Sequence, residues 1–348
     1  MSRASDGTPQ GVILDLVVGF WSACAVATTA RLGIADRLAR GPRTAAELAA
    51  ELGLDADALF RLLRAVSSLG VLSREGAARF GLTAVGELLR SDVPGSQRAL
   101  IASELDTAHY LPWGRLEESV RTGRPVFEKV FSMKTWEYYR DRSPAEGRLF
   151  SANMTAMSQI ETRGILAAYS FEEARCIVDV GGAHGAFLAA ALQQAQTARG
   201  ILFDQTQVVA EAGPVLRRFG VADRVRCVAG DFFGELPQAG DVYLLKHVLH
   251  DWGDEDCVRI LSRVREAMAP EGRVVVAELP LPQEGAATPM GVMLDLNMLV
   301  MLGGRERTAA EYAVLFEQAG LRLSRVVPTA APIALIEARA ATPRGAAP

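Results

Sequence analysis

Val178-Asp179-Val180-Gly181-Gly182-Ala183-His184-Gly185 is the stretch whose reading decides the fold of this chain. The apolar run Cys176–Val180 reads as a strand entering a glycine-rich turn, and Ala186–Gln194 reads as the helix that follows. Small residues in such a turn let the backbone approach a ligand, and the first amides of the helix are free to meet it. A dinucleotide loop would carry Gly-x-Gly-x-x-Gly, and no register here supplies it. Beyond the turn the rhythm continues. Strands are expected at Ile201–Phe203 (ending at Asp204), Val225–Val228, Asp241–Lys246, Arg273–Leu279, Leu321–Val327 and Pro332–Ala338, with helices at Asp254–Met268 and Thr308–Gly320. This alternation predicts an α/β fold with a doubly wound parallel sheet whose ligands sit beyond the carboxyl ends of the strands.

A chain of 348 residues suggests two domains, here 1–165 and 166–348. The first reads as mostly helical. Gly11–Leu38 is apolar nearly all round, which suits a helix buried in a core or against another chain. Thr44 and Glu47 form a capping box, Gly53 closes that helix, and Asp55 caps the next, with Leu59, Leu62, Leu63, Val66 and Leu69 at helical spacing. Val71–Thr83 then reads as a hairpin, completing a winged-helix-like pattern. A DNA-reading wing is disfavoured, because between Gly41 and Pro94 six Arg face seven Asp and Glu.

Composition narrows the classes further. Net charge is −4, so no global basic field draws the chain to nucleic acid or acidic lipid. Four cysteines lie far apart without Cys-x-x-Cys, and no His or Cys cluster suggests a metal, so none is expected. Met1–Gln10 lacks a signal-peptide core and no apolar run reaches the length of a membrane span, so a cytoplasmic protein without membrane attachment is expected. Only three of the 37 basic residues are lysines (Lys129, Lys134, Lys246), which singles out Lys246 at a strand end.

The turn resembles the acidic-x-Gly-x-Gly-x-Gly pattern of S-adenosylmethionine-dependent methyltransferases. Asp179, Gly181 and Gly185 fit it, Gly182 widens the turn, and Ala183 stands where the pattern has its middle glycine. Asp204, 19 positions past Gly185, suits two ribose hydroxyls. Asp231-Phe232-Phe233 at the next strand end suits the amino group and face of an adenine. The plain alternatives are helix capping for the two acids and core packing for the aromatics.

Tyr243-Leu244-Leu245-Lys246-His247-Val248-Leu249-His250-Asp251-Trp252 carries two of the four histidines. With Gly304-Arg305-Glu306-Arg307-Thr308 further on, it is similar to the small-molecule O-methyltransferases related to plant caffeate and bacterial polyketide methyltransferases. The likeness covers essentially the whole chain. It implies a Rossmann-like class I methyltransferase domain, an amino-terminal helical dimerisation domain, a homodimer, and S-adenosyl-L-methionine as cofactor. It also implies that His250 takes the proton from the acceptor hydroxyl, that Glu278 and Glu306 flank and orient it, and that Lys246 contacts the cofactor. Asp251 and Trp252 fall beside the acceptor, while His247 and His184 carry no matching role and read as structural.

Chemistry supports His250 independently. A free phenol titrates near ~10 and a free histidine near ~6.5. A neighbouring carboxylate narrows that gap, and general-base help is worth roughly 10²–10⁴-fold. Met293, Asn297 and Met301 share one helical stripe, and Met154 and Met157 on an earlier helix could face them, an adaptable wall for a flat aromatic acceptor; ordinary core packing is the alternative. The expected activity is methyl transfer to a hydroxyl of an aromatic or polyketide-like molecule in natural-product biosynthesis. The alternatives are a decarboxylase or hydroxylase on the same fold, or a winged-helix ligand-sensing regulator.

Overall fold

The computed structural model describes residues 7–283, 285 and 288–341. The chain's outermost residues, including part of Met1–Gln10, lie outside them. Its contacts divide into two compact units, Met1–Gly114 with Phe127–Ala156, and Arg115–Val126 with Met157–Pro348. The second unit thus begins slightly earlier than expected and takes back a short segment, 115–126.

In the first unit, α1 (Pro9–Arg31) starts at Thr8, whose hydroxyl accepts the Gly11 amide. The single helix expected over Gly11–Leu38 is broken, because Gly33 adopts φ 64° and restarts the chain as Ile34–Leu38. A left-handed residue ends an α-helix, and glycine occupies that conformation without steric cost. Thr44 caps α2 (Ala45–Leu52) in a reciprocal capping box with Glu47, and Asp55 caps α3 (Ala56–Ser68). Strands β1 (Arg43–Thr44), β2 (Leu72–Glu75) and β3 (Arg79–Leu82) form a small antiparallel sheet in the order β1-β3-β2. Ile34, Leu48, Leu63, Val66, Leu72 and Phe80 close the core between these elements. The winged-helix-like pattern is therefore present.

Helix α1 departs from one expectation. By length and composition it is apolar enough to cross a membrane, although Asp15 and small polar residues interrupt any continuous apolar run. Its side chains Val12, Ile13, Leu14, Leu16, Val17, Phe20 and Trp21 are exposed. Water alone is a poor neighbour for such a face.

α4 (Pro144–Ala168) runs from the first unit into the second. The second unit then alternates β4 (Cys176–Val180), α5 (Ala186–Gln194), β5 (Arg199–Asp204), β6 (Val225–Ala229), β7 (Gly240–Lys246), α6 (Asp254–Ala267), β8 (Met268–Glu278), α7 (Pro289–Met301), α8 (Ala309–Gln318), β9 (Leu321–Pro328) and β10 (Ala334–Ala340). The seven strands lie in the order β6-β5-β4-β7-β8-β10-β9. The first five pair in parallel, but β10 is antiparallel to both β8 and β9, so the sheet is mixed rather than wholly parallel. The reason is local: a few residues join β9 to β10, enough for a hairpin and far too few for a crossover. Apolar side chains of the strands alternate between two cores. Val178, Tyr243, Leu245, Val274 and Ile336 pack on one face, and Ile177, Leu202, Leu244, Val275 and Leu335 on the other. The parallel strand ends therefore converge on one rim, which positions the residues of interest.

Candidate active site

The turn after β4 is shaped by its lack of side chains. Gly181 and Gly185 adopt φ 69° and 79°. A Cβ on Gly182 would come within 2.5 Å of the Asp179 carboxylate and 2.7 Å of Leu202. Ala183 holds φ 50°, where the family pattern has glycine, a conformation costing an L-residue about 1–2 kcal/mol. Asp204 secures the loop: one carboxylate oxygen accepts the Ala183 amide at 2.8 Å and the other accepts the Gln205 amide at 2.7 Å. Burial raises its proton affinity against those two hydrogen bonds. Asp179 is buried behind the loop, and burial pushes it up to about 7, with Lys246 opposing and Asp204 adding to the rise. Its Oδ2 atom has no hydrogen-bond partner. Asp179 thus buttresses Gly182 rather than lying on the loop's open side.

At the end of β6, the exposed Asp231 accepts the Phe233 amide at 3.0 Å. Phe232 and Phe233 meet Trp252 edge-on, with centroids 5.8 and 4.9 Å away, and the Arg259 guanidinium covers Phe233 at 4.6 Å. Trp252, expected beside the acceptor, packs with the two aromatics expected beside adenine. The glycine cradle, the amino-terminal end of α5 and the Asp204 carboxylate fit an adenosine-bearing cofactor at this rim.

After β7 the chain makes a tight helical turn, Leu249–Asp251, and three groups hold it, the last two from one loop. The first is the end of β8. Glu278, fully buried, accepts the amides of Val248, Leu249 and His250 through Oε1 at 3.1, 3.0 and 3.4 Å. The second is the 304–307 loop. Gly304 lies so close to the His250 carbonyl and the Asp251 backbone that a Cβ has no room, and the Arg305 amide donates to the His250 carbonyl at 2.9 Å. The third is Arg307, wholly buried, whose guanidinium donates to the carbonyls of Leu249 (3.1 Å) and Trp252 (2.8 Å) and to Asp254 (3.0 and 2.7 Å).

Within this grip the His250 ring is defined at both nitrogens. Nδ1 lies 2.8 Å from Glu306 Oε1 and 3.5 Å from Glu278 Oε2, and Nε2 lies 3.5 Å from Asp251 Oδ1. Burial works against a charge on the ring, but Glu278, the Glu306 hydrogen bond and Asp251 outweigh it, and the imidazole is pushed up to about 10. Burial likewise raises Asp251, to about 6, against the pull of His250. With Nδ1–H given to Glu306, Nε2 is the atom that gains and loses the ring's second proton.

Two acidic residues join the site without having been foreseen. Asp295, on α7, accepts the Glu306 amide at 2.9 Å. Glu161, buried on α4 one turn after Met157, lies 2.8 Å from Lys246 Nζ and 2.9 Å from His247 Nε2. Lys246, expected to meet the cofactor, is thus also paired with a carboxylate. His247, read as structural, adopts φ 53° and brings its donors, with those of His250 and Glu278, within 4.8 Å of one another. Sequence spacing gave no sign of that grouping; both His250 nitrogens already face carboxylates. Of the methionines, Met157, Met293 and, in the first unit, Met154 are exposed, while Met301 is buried and Asn297 half-buried. A solitary acid in the small and apolar stretch around Met157 is the one sequence signal that could have marked Glu161.

A class I methyltransferase fold with a buried, carboxylate-flanked histidine at its ligand rim is what these features define. The chain belongs to the O-methyltransferase family: residues 113–322 match the O-methyltransferase domain and residues 14–92 the O-methyltransferase dimerisation domain. It is an S-adenosylmethionine-dependent methyltransferase. Phenazine O-methyltransferase PhzM of Lysobacter antibioticus is 38% identical over 340 residues, 97% of this chain and 98% of that one. An 8-amino-8-demethylriboflavin N,N-dimethyltransferase of Streptomyces davaonensis is 36% identical, covering 94% of this chain and 93% of its own. The solved O-methyltransferase NcsB1 from neocarzinostatin biosynthesis, in complex with S-adenosylmethionine and 2-hydroxy-5-methyl naphthoic acid, superposes with TM-score 0.81 at 34% identity, covering 91% of this chain and 95% of that one.

Proposed function

We propose that this enzyme methylates an acidic hydroxyl of a flat aromatic natural-product intermediate, with His250 as the base. The observation that carries the reading is the 2.8 Å contact of His250 Nδ1 with buried Glu306, which commits that nitrogen as donor and leaves Nε2 to receive a proton. The bound cofactor supplies an electrophilic methyl group, and the chain supplies the oxygen's activation and alignment. The raised proton affinity of His250, about 10, lies close to that of a phenol, so the neutral form of the ring takes the acceptor's proton at Nε2 at little cost, and turnover should climb as pH rises toward that value and populates this form. Asp251 near Nε2 gives way to the arriving hydroxyl and stabilises the charged ring. Glu278 keeps the turn in place, and Asp204, Asp231, Phe232, Phe233 and the Gly181–Gly185 loop hold the adenosine. Exposed Met157 and Met293, with Asn297, offer the acceptor an apolar surface and one polar contact.

The enzyme acts as a cytoplasmic homodimer in this reading, with a second copy covering α1. Its test is His250→Ala. S-adenosylhomocysteine affinity should stay within about twofold, while turnover falls by roughly 10²–10⁴. The loss should shrink as the acceptor's hydroxyl becomes more acidic. Near-normal turnover of a weakly acidic phenol at pH 7 would remove His250 from the role. Relatives that methylate nitrogen favour one second reading, an aryl amine acceptor, and the site of the new methyl group in the product separates the two. Loss of carbon dioxide or gain of oxygen in the product would mean other chemistry on the same fold.

A further inference from the structure

Lys246 ends β7 beside the glycine loop: β4 and β7 are parallel neighbours with Asp179 opposite Leu244, so residue 246 stands level with the start of the Gly181–Gly185 turn. A permanent positive charge there faces a difficulty, because the methyl donor is itself a cation at sulfur. The spent cofactor, S-adenosylhomocysteine, is a neutral thioether. Glu161 resolves this charge conflict. Its carboxylate lies 2.8 Å from Lys246 Nζ and 2.9 Å from His247 Nε2, and all three groups are at least partly buried, which weakens screening by water. Burial raises the affinity of Glu161 for a proton, but His247 and Lys246 more than offset it and hold the group near 2, so it is ionised throughout the working range.

We propose that Glu161 is a specificity-determining residue of the cofactor site, a carboxylate that masks Lys246 and thereby favours the sulfonium donor over its neutral product. The inference rests on the reading that the glycine loop and the end of β7 hold the cofactor. It gives a function to a buried residue that acts through its neighbour: by weakening product retention relative to donor binding, Glu161 limits inhibition by spent cofactor. The effect is electrostatic, so it acts on the ratio of two affinities rather than on either alone.

The experiment is calorimetric titration of the dimeric enzyme with S-adenosylmethionine and, separately, with S-adenosylhomocysteine. Glu161→Gln keeps the side chain's shape and removes its charge. The ratio of the two dissociation constants, donor over product, should rise about three- to tenfold, the scale of one unit charge acting over several ångströms at intermediate dielectric. Lys246→Met, which leaves the carboxylate facing His247 alone, should move the ratio the other way. The double variant Glu161→Gln/Lys246→Met should return it to within about twofold of wild type. A merely structural role would weaken both cofactors alike and in the same direction for every variant, and that result overturns the proposal. Circular dichroism of each variant establishes folding, and if Glu161→Gln fails to fold, Glu161→Met, likewise uncharged and of similar length, takes its place. Failure of the underlying reading looks different: Asp204→Ala would then leave both affinities unchanged.

Discussion

Replacing Arg307 by methionine tests the view that the His250 turn is held from outside. Methionine keeps the apolar stem and fills most of the buried volume, so the change isolates the guanidinium. Its loss leaves the carbonyls of Leu249 and Trp252, on either side of His250, without their charged donor. Buried hydrogen bonds to a charged group contribute about 1.5–3 kcal/mol each. The Leu249 contact is long at 3.1 Å and so falls at the lower end, while Asp254, whose side chain is 57% exposed, recovers water and adds little. The sum is about 3–5 kcal/mol. Urea denaturation should show that loss in unfolding free energy, and the thermal midpoint should fall by about 6–20 °C. At temperatures where the variant is folded, kcat should drop at least tenfold, because His250 and Glu306 are held in register by this contact. Affinity for S-adenosylhomocysteine should stay within about threefold, since the glycine loop sits on other strands. Arg307→Lys, which restores the charge but not the fork, should recover less than half of the stability. A stability change below 1 kcal/mol with normal kcat would refute the account of the turn.

Asp204→Ala removes the acceptor of two loop amides and of the expected ribose hydroxyls, and S-adenosylhomocysteine binding measured calorimetrically should weaken at least about tenfold. Ala183→Gly relieves a left-handed alanine at some cost in chain entropy, and urea denaturation should show a net gain of roughly 0.5–1 kcal/mol. Trp21→Asp puts a charge on the exposed face of α1, and sedimentation at micromolar concentration should show monomers where the unaltered chain gives dimers. His250 binds its proton more tightly folded (about 10) than unfolded (about 6.5), so its stabilising contribution is complete below pH 6.5 and disappears as pH rises toward 10. Denaturation curves of His250→Gln should therefore converge on those of the unaltered chain as pH rises through that window; parallel curves would mean the ring is not charged in the fold.

Much of the fold was legible because its signals are local. Val178–Gly185 shows an apolar strand, a turn without side chains and a helix start, and the elements fall where that pattern puts them. Thr44, Asp55 and Thr308 announce helix starts through their own side chains. What the chain hides is long-range pairing. β10 carries a strand's residue pattern whichever way it runs, and only the short link to β9 fixes its antiparallel sense. Glu161 and Lys246 are far apart in sequence, and neither residue's neighbours hint at the other. The same limit applies to Asp295, whose bond to the Glu306 amide depends on how α7 lies against the 304–307 loop. Helix α1 was legible as apolar all round, but only three dimensions show which side chains remain uncovered.

The grip on the His250 turn also sets a timetable. Its amides find Glu278 only about 30 residues later in the chain, and its Leu249 carbonyl finds Arg307 58 residues later. A ribosome adding about 5–20 residues per second takes roughly 3–12 s to cover the longer span. From the start of that interval β4 to β7 can already pair with one another, while the turn that bears His250 has unpaired backbone groups and no fixed shape. On the proposed roles of these residues, the nascent enzyme gains the means to hold its cofactor before it gains the means to use it. A chain cut before Gly303 would remain at that earlier stage.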